Sequence, residues 1–216
     1  MAEATLNKNM VEGQIKPING MSEELLSAFY SLDRNNFMPE AMKEMSYVEK
    51  NIILQDKRTI LKPSLIAQIA LSINLNANEN VLILGATTGY LSAILSHQAE
   101  TVIVVEENEN LLRNSENAIK KNNINNVVFI KNELVKGYNE QSPFNVIIIE
   151  GAIQEVPLNI IDQLDEEGRL LAIIHEEEIC SAKLFKKNGR SISEQKLFNC
   201  TIPVLSMFMK KNNFSF

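Results

Sequence analysis

Tryptophan is absent from this 216-residue chain, and histidine and cysteine occur only twice each. With His97 and His175 far apart and no spaced ligand set around either, a metal centre is not expected, although His175 stands beside the acidic run Glu176-Glu177-Glu178. No Ser-His-Asp set or Cys-His pair presents itself for nucleophilic catalysis. Cys180 and Cys200 lack the short spacing of a disulfide or zinc framework and fit a reducing cytoplasm, which is the expected location. Long apolar runs are missing too: none approaches about 20 residues, and the first 20 residues lack the apolar core of a signal peptide, so no membrane association is expected. Basic charge is scarce, with 21 Lys and Arg against 27 Asp and Glu for a net charge of −6, and the basic residues form no stripe. A nucleic-acid-binding surface is excluded on that ground. Repeats and low-complexity linkers are also lacking. What remains is 45% hydrophobic, enough for a real core in one compact unit. Residues 1–78 read as an N-terminal helical extension and residues 79–216 as an α/β core.

The core is organised around residues 81–106, VLILGATTGYLSAILSHQAETVIVVE. Val81 to Leu84 is an apolar run of strand length, apolar on both faces as in a parallel sheet covered by helices. Gly85-Ala86-Thr87-Thr88-Gly89 follows as a tight turn whose glycines permit positive φ and close backbone approach to a ligand. A helical pattern from Tyr90 and a second apolar run ending in Glu106 complete a βαβ unit able to hold a nucleoside, with glycines beneath it and a carboxylate on the ribose hydroxyls. Dinucleotides need G-x-G-x-x-G so that a helix N-terminus reaches the pyrophosphate. Here the pattern is G-x-x-x-G, with Thr87 in place of the middle glycine and a bulky Tyr90, which suits S-adenosylmethionine, a nucleoside cofactor without phosphate. The plain structural alternative is a βα corner that needs glycine for its own turn.

Around this unit, residues 1 to about 20 read as loosely structured. Ser22 with Glu23 and Glu24 caps a helix to about Ser31, Pro39 breaks the chain, and a short helix covers Glu40 to about Ser46. Residues 51–63 read as extended or looped, and Pro63 opens a helix with Leu65, Ile66, Ile69, Ala70 and Ile73 on one face. Strands are expected at about 81–84, 101–105, 127–130, 145–149 and 169–174, with helices at about 89–97, 108–121 and 156–164 between them, giving a mostly parallel sheet. Beyond Glu178 an antiparallel pair is expected, Ile179 to Phe185 and Lys196 to Met209, joined by a turn at 186–190 and followed by a polar tail.

Several segments, in order, resemble the protein-L-isoaspartate O-methyltransferase family over about Met10 to Phe208. They are Met10-Val11-Glu12-Gly13-Gln14-Ile15, Asn36-Phe37-Met38-Pro39-Glu40, Thr59-Ile60-x-x-Pro63, Val81-Leu82-x-x-Gly85-x-x-x-Gly89-Tyr90, Val105-Glu106, Ser142-Pro143-Phe144-Asn145, Val156-Pro157 and Glu167-Gly168-Arg169-Leu170. The resemblance implies a class I methyltransferase sheet with an antiparallel C-terminal edge and S-adenosylmethionine as donor. It also implies a protein or peptide bearing an isoaspartyl carboxylate as acceptor. Carried onto this sequence, the cofactor-binding positions are Gly85, Ala86, Thr87, Gly89, Tyr90, Glu106, Glu133 and Glu150, with Thr59 and Lys62 on the substrate side.

The departures are as informative. An acid two positions before the first glycine is Ile83 here, and losing one charge-assisted hydrogen bond of roughly 1.5–3 kcal/mol weakens binding on the order of tenfold to a hundredfold. The adenine-facing acid becomes Glu133, without flanking glycines, and the small residues after the fourth core strand become Glu150-Gly151-Ala152. On the substrate side the glycine-rich approach becomes Gln55-Asp56-Lys57-Arg58, and the signature serine becomes Leu61. Methyl transfer to a carboxylate needs no base, because the nucleophile is already anionic and catalysis rests on alignment and desolvation. Losing the hydroxyl therefore points to altered acceptor recognition. Lys57, Arg58 and Lys62 either attract an anionic substrate or are solvated loop cations. Three functional readings follow: a methyltransferase acting on isoaspartyl carboxylates, one with another acceptor such as a small acid, and a family member that keeps the fold as a binding or regulatory module without turnover.

Overall fold

The computed structural model describes residues 2–54, 57–189 and 191–209. Gln55, Asp56, Arg190 and the tail beyond Met209, read above as loop, turn and polar end, lie outside the described residues. Contrary to expectation, the N-terminal segment is ordered: α1 (Ala2–Met10) runs on into a wider-wound π turn at Val11–Ile15. Met10, Val11 and Ile15 are buried in the main hydrophobic cluster, and Asn7 Nδ2 donates to Phe29 O at 3.1 Å. The polar pattern of AEATLNKNM hides this helix, because its stability comes from what it packs against more than from its own amphipathicity.

Helix α2 (Glu23–Ser31) starts where Ser22 Oγ accepts from the Leu25 N–H, and it buries Leu25, Leu26, Ala28 and Phe29. Asp33 caps a tight turn over Arg34–Phe37, and Glu40–Met45 winds as a 3-10 helix where a short α-helix was expected. The looped segment forms a small antiparallel ladder, β1 (Ile52–Ile53) with β2 (Thr59–Ile60), whose tip carries Lys57 and Arg58. Helix α3 (Pro63–Ile73) places Pro63 in its first turn, where a missing N–H costs nothing, and stops at Asn74, in left-handed conformation.

The core follows as β3 (Asn80–Leu84), α4 (Tyr90–Ser96), β4 (Thr101–Glu106), α5 (Glu109–Lys121), β5 (Val127–Lys131), β6 (Phe144–Ile153), α6 (Leu158–Ile161), β7 (Leu164–Glu176), β8 (Ile179–Asn188) and β9 (Ser191–Cys200). The sheet runs β5-β4-β3-β6-β7-β8-β9, parallel through β7 and antiparallel from there to the edge. This is the expected class I methyltransferase architecture, with boundary corrections. β6 runs on to Ile153 past the expected 149, helix α6 is a single turn where residues 156–164 were expected, β7 reaches back to Leu164, β8 continues through Asn188 where a turn at 186–190 was expected, and the last strand is 191–200 rather than 196–209. Ser191–Gln195 are exposed and, apart from Ile192, polar residues on an edge strand, so backbone pairing to β8 holds them where no apolar alternation marks the strand.

Side chains alternate across β3: Val81 and Ile83 join the cluster containing α2, α3 and α4, while Leu82 and Leu84 join a second cluster with Phe144 and Ile160. Arg169 on β7 ties the sheet to the end of α3, with Nη1 2.7 Å from Glu79 Oε1 and Nε donating to Ile73 O at 2.6 Å. Strand order reverses at β3, whose neighbours are β4 and β6. The crevice beyond its carboxyl end is where ligands bind in sheets of this kind.

Candidate cofactor and acceptor site

Beyond Leu84 the chain turns through Gly85 and Gly89, at φ 98° and 79°, a region that side-chain-bearing residues seldom adopt. The turn is pinned on each side: Gly85 N donates to Val105 O at 2.9 Å, Ser115 Oγ on α5 donates to Ala86 O at 2.7 Å, and Ser92 Oγ donates to Gly89 O at 2.8 Å. A Cβ on Gly89 would meet Ser115 at 3.2 Å, so this glycine also lets α5 approach. Ala86, Thr87, Thr88 and Tyr90 are all buried.

Glu106 ends β4 with no solvent exposure. Its Oε2 accepts from the Ala86 N–H and its Oε1 from the Asn108 N–H, each at 2.8 Å, so the carboxylate is fixed against the glycine turn. Arg58 completes the set, with Nη1 2.9 Å from Oε1 and Nη2 2.7 Å from Oε2. A carboxylate has about four acceptor positions, and those four donors fill them. The guanidinium also lies over Gly85, where a Cβ would stand only 2.9 Å from Arg58 Nη2. Arg58 is 3% exposed. It stands between Glu106 and a cavity of about 250 Å³ that it lines together with Glu107, Asn108, Ser206 and Met207.

Deeper in the crevice lies a second arginine. Arg34 is 1% exposed, donates from Nη2 to Leu61 O at 2.8 Å, and stacks its guanidinium 5.4 Å from the centre of the Tyr90 ring. Burial lowers its pKa and pushes the Tyr90 phenol well above its ordinary value. Phe29 and Phe37 enclose the same ring. Among the described residues, Arg34 Nε and Nη1, Arg58 Nε, Thr59 Oγ1 and Tyr90 OH are buried without a hydrogen-bond partner, an unusual concentration of unmet polar groups. Burial pushes the Glu150 carboxyl up to about 8, opposed by the Arg58 charge and the Thr87 hydroxyl. Arg58 is neutralised by Glu106, whereas Arg34 has only the more distant charges of Glu49 and Glu150 near it and no carboxylate bonded to its guanidinium among the described residues.

Among the residues expected at the site, Gly85, Ala86, Thr87, Gly89, Tyr90, Glu106 and Glu150 line the turn and the crevice beside it, and Thr59 adjoins them on β2. Glu133 does not join them: it is exposed and pairs with Lys136 at 2.5 Å. Lys62 pairs with Glu49 at 2.9 Å, and Glu49 also accepts from Ser64. Leu61 is packed into the main cluster, as is Ile83, so neither position supplies a polar group. Arg58 is no solvated loop cation but a buried partner of Glu106. Neither that pairing nor the place of Arg34 followed from the sequence reading. The only available signals were the long cation where the family has a glycine-rich approach, and the position of Arg34 directly before the Asn36 to Glu40 segment.

The family model described as protein-L-isoaspartate(D-aspartate) O-methyltransferase matches residues 5–207. The protein-L-isoaspartate O-methyltransferase 1 of Syntrophobacter fumaroxidans is 30% identical over 162 residues, covering 75% of this chain and 76% of its own. A protein-L-isoaspartate O-methyltransferase of Methanoculleus marisnigri is 25% identical over 93% of this chain and 92% of its own. Among solved structures, a protein-L-isoaspartate O-methyltransferase superposes with a TM-score of 0.78 at 23% identity, over 94% of this chain; the match spans 65% of that longer chain. A putative one from Plasmodium falciparum, solved with S-adenosyl-L-homocysteine, gives 0.77 at 20% identity over 95% of this chain and 98% of its own.

S-adenosylmethionine is the donor of that family, and the backbone frame for it is present in the glycine turn and the acid at the end of β4. The side chains as arranged do not admit it, because the Arg58 guanidinium takes both carboxylate oxygens and the space over Gly85.

Proposed function

This chain belongs to the protein-L-isoaspartate(D-aspartate) O-methyltransferase family, and from that premise we propose that it is an S-adenosylmethionine-dependent O-methyltransferase whose acceptor is a carboxylate on a protein or peptide, the isoaspartyl group first among candidates. The observation that carries this reading is Glu106: a carboxylate at the end of the second core strand, held by the Ala86 and Asn108 N–H groups and aimed at a glycine turn. An acid fixed in that way is prepared to accept two hydrogen bonds from a diol. The acceptor class is supported by the family match and by Arg34, a buried guanidinium whose Nε and Nη1 have no partner among the described residues. No general base is needed, since the acceptor carboxylate is already ionised at neutral pH; the chain's contribution is a buried, water-poor crevice that aligns it. Leu61 supplies no hydroxyl, so acceptor positioning falls to Thr59 and Arg34.

A second reading has its own observation. All four acceptor positions of Glu106 are filled by the protein itself, as expected of a family member that keeps the fold for binding or regulation without turnover. Incubation with methyl-labelled S-adenosylmethionine and an isoaspartyl peptide separates the two. Base-labile methyl ester on the peptide supports catalysis; no label in the peptide, under conditions where S-adenosylhomocysteine binds, supports the module.

A further inference from the structure

We infer that Arg58 is an internal occupant of the nucleoside site, an autoinhibitory side chain that must leave before a ligand can reach Glu106. The inference rests on the proposed use of Glu106 as the sugar-binding acid. It is carried by the match between what the guanidinium does and what a ribose would do. A vicinal diol offers two O–H donors to one carboxylate, and Arg58 offers two N–H donors to the same two oxygens, at 2.9 and 2.7 Å. The two cannot coexist, because the remaining acceptor positions belong to the Ala86 and Asn108 N–H groups and the guanidinium lies over Gly85.

Arg58 is also mounted so that it can move. It sits at the tip of a ladder of two residue pairs, directly after Lys57, whose φ of 60° is a conformation that costs a lysine free energy. Among the described residues beyond the ladder, one backbone bond holds Arg58, Leu54 N to Arg58 O at 2.7 Å. Among the described residues, Nε of the side chain has no partner and Glu106 accepts its hydrogen bonds. The cavity lined by Glu107, Asn108, Ser206 and Met207 opens on its far side and offers a path toward solvent. The Gly85 turn, by contrast, is tied by backbone and by Ser115, so displacement takes the arginine and leaves the acid. A ligand that binds only the open form has its apparent affinity reduced by the fraction of molecules that are open.

The test is calorimetric titration of S-adenosylhomocysteine into the full-length wild type and the Arg58→Ala and Arg58→Gln variants. Arg58→Gln keeps a polar side chain of useful length should Arg58→Ala fail to fold. Alongside, ¹⁵N NMR follows the guanidinium resonances of wild-type Arg58. The expected result is affinity at least about tenfold tighter in the variants, with slowly exchanging Arg58 N–H signals in the free protein that vanish on saturation. Equal or weaker binding by the folded variants overturns the inference and leaves the proposed function standing. Absence of binding by wild type and variants alike overturns both.

Discussion

The two walls of the crevice are held together by different means. On one wall, from β3 to α5, the glycine turn is fastened by main-chain and short side-chain bonds: Gly85 to Val105, Ala86 to Glu106 and to Ser115, Gly89 to Ser92. On the other, two strands of two residues each lead to a long cation whose place is set by a charge on the opposite wall. The first is a fixed receptor, and on the second Arg58 covers it. Gly85, Gly89 and the terminal acid Glu106 stand on the receptor, and the occluding Arg58 stands on the cover. Retained family architecture and an occluded site are therefore compatible, because they reside on different walls.

The largest effect that would sharpen this contrast is expected from Glu106→Ala. Removing the acid leaves Arg58 as an uncompensated buried cation, a change that typically costs about 3–5 kcal/mol. Urea unfolding should show that loss, and calorimetry should show no S-adenosylhomocysteine binding. Unchanged stability would mean the two walls are not coupled through this pair. Next is Leu61→Ser, which restores the family's hydroxyl on the cover but empties part of a well-packed position. A loss of about 2–5 kcal/mol is expected, with S-adenosylhomocysteine affinity essentially unchanged and the KM for an isoaspartyl peptide altered. A shift in cofactor affinity instead would place Leu61 on the receptor side.

Ser115→Ala tests the receptor wall alone. It leaves the buried Ala86 carbonyl without its donor, at a cost of about 1–3 kcal/mol, and should weaken ligand binding by loosening the turn. Glu150→Gln should have the smallest effect at low pH and a growing one above it. Burial holds that carboxyl near 8 against an ordinary 4.5. The stability it contributes is thus intact below about pH 4.5 and is lost as pH rises through about 8. The amide cannot ionise, so the melting temperature of the variant should gain on wild type across that window. Parallel curves would show that Glu150 is solvated.

Much of the frame could be read from residue order. Apolar runs of strand length, the Ser22 cap, Pro63 in a first turn and glycines before Tyr90 each have a local physical meaning, and the structure places elements where they point. The cover was not legible for the converse reason: the Arg58 to Glu106 pair joins residues 48 positions apart, and an isolated arginine in a loop carries no periodicity or spacing. α1 escaped notice because its polar residues gain their order from tertiary packing, and β9 because an exposed edge strand needs no apolar alternation. Glu133, expected as an adenine-facing acid, stands exposed and paired with Lys136.

The central claim is that the Glu106 carboxylate is a sugar-binding acid now held by Arg58. A crystal structure of the full chain with S-adenosylhomocysteine tests it most directly. The account predicts both ribose hydroxyls within hydrogen-bond distance of Glu106, and the Arg58 guanidinium displaced from Gly85 toward Asn108 and Met207. A bound ligand elsewhere, with the Arg58 to Glu106 pair intact, would contradict it.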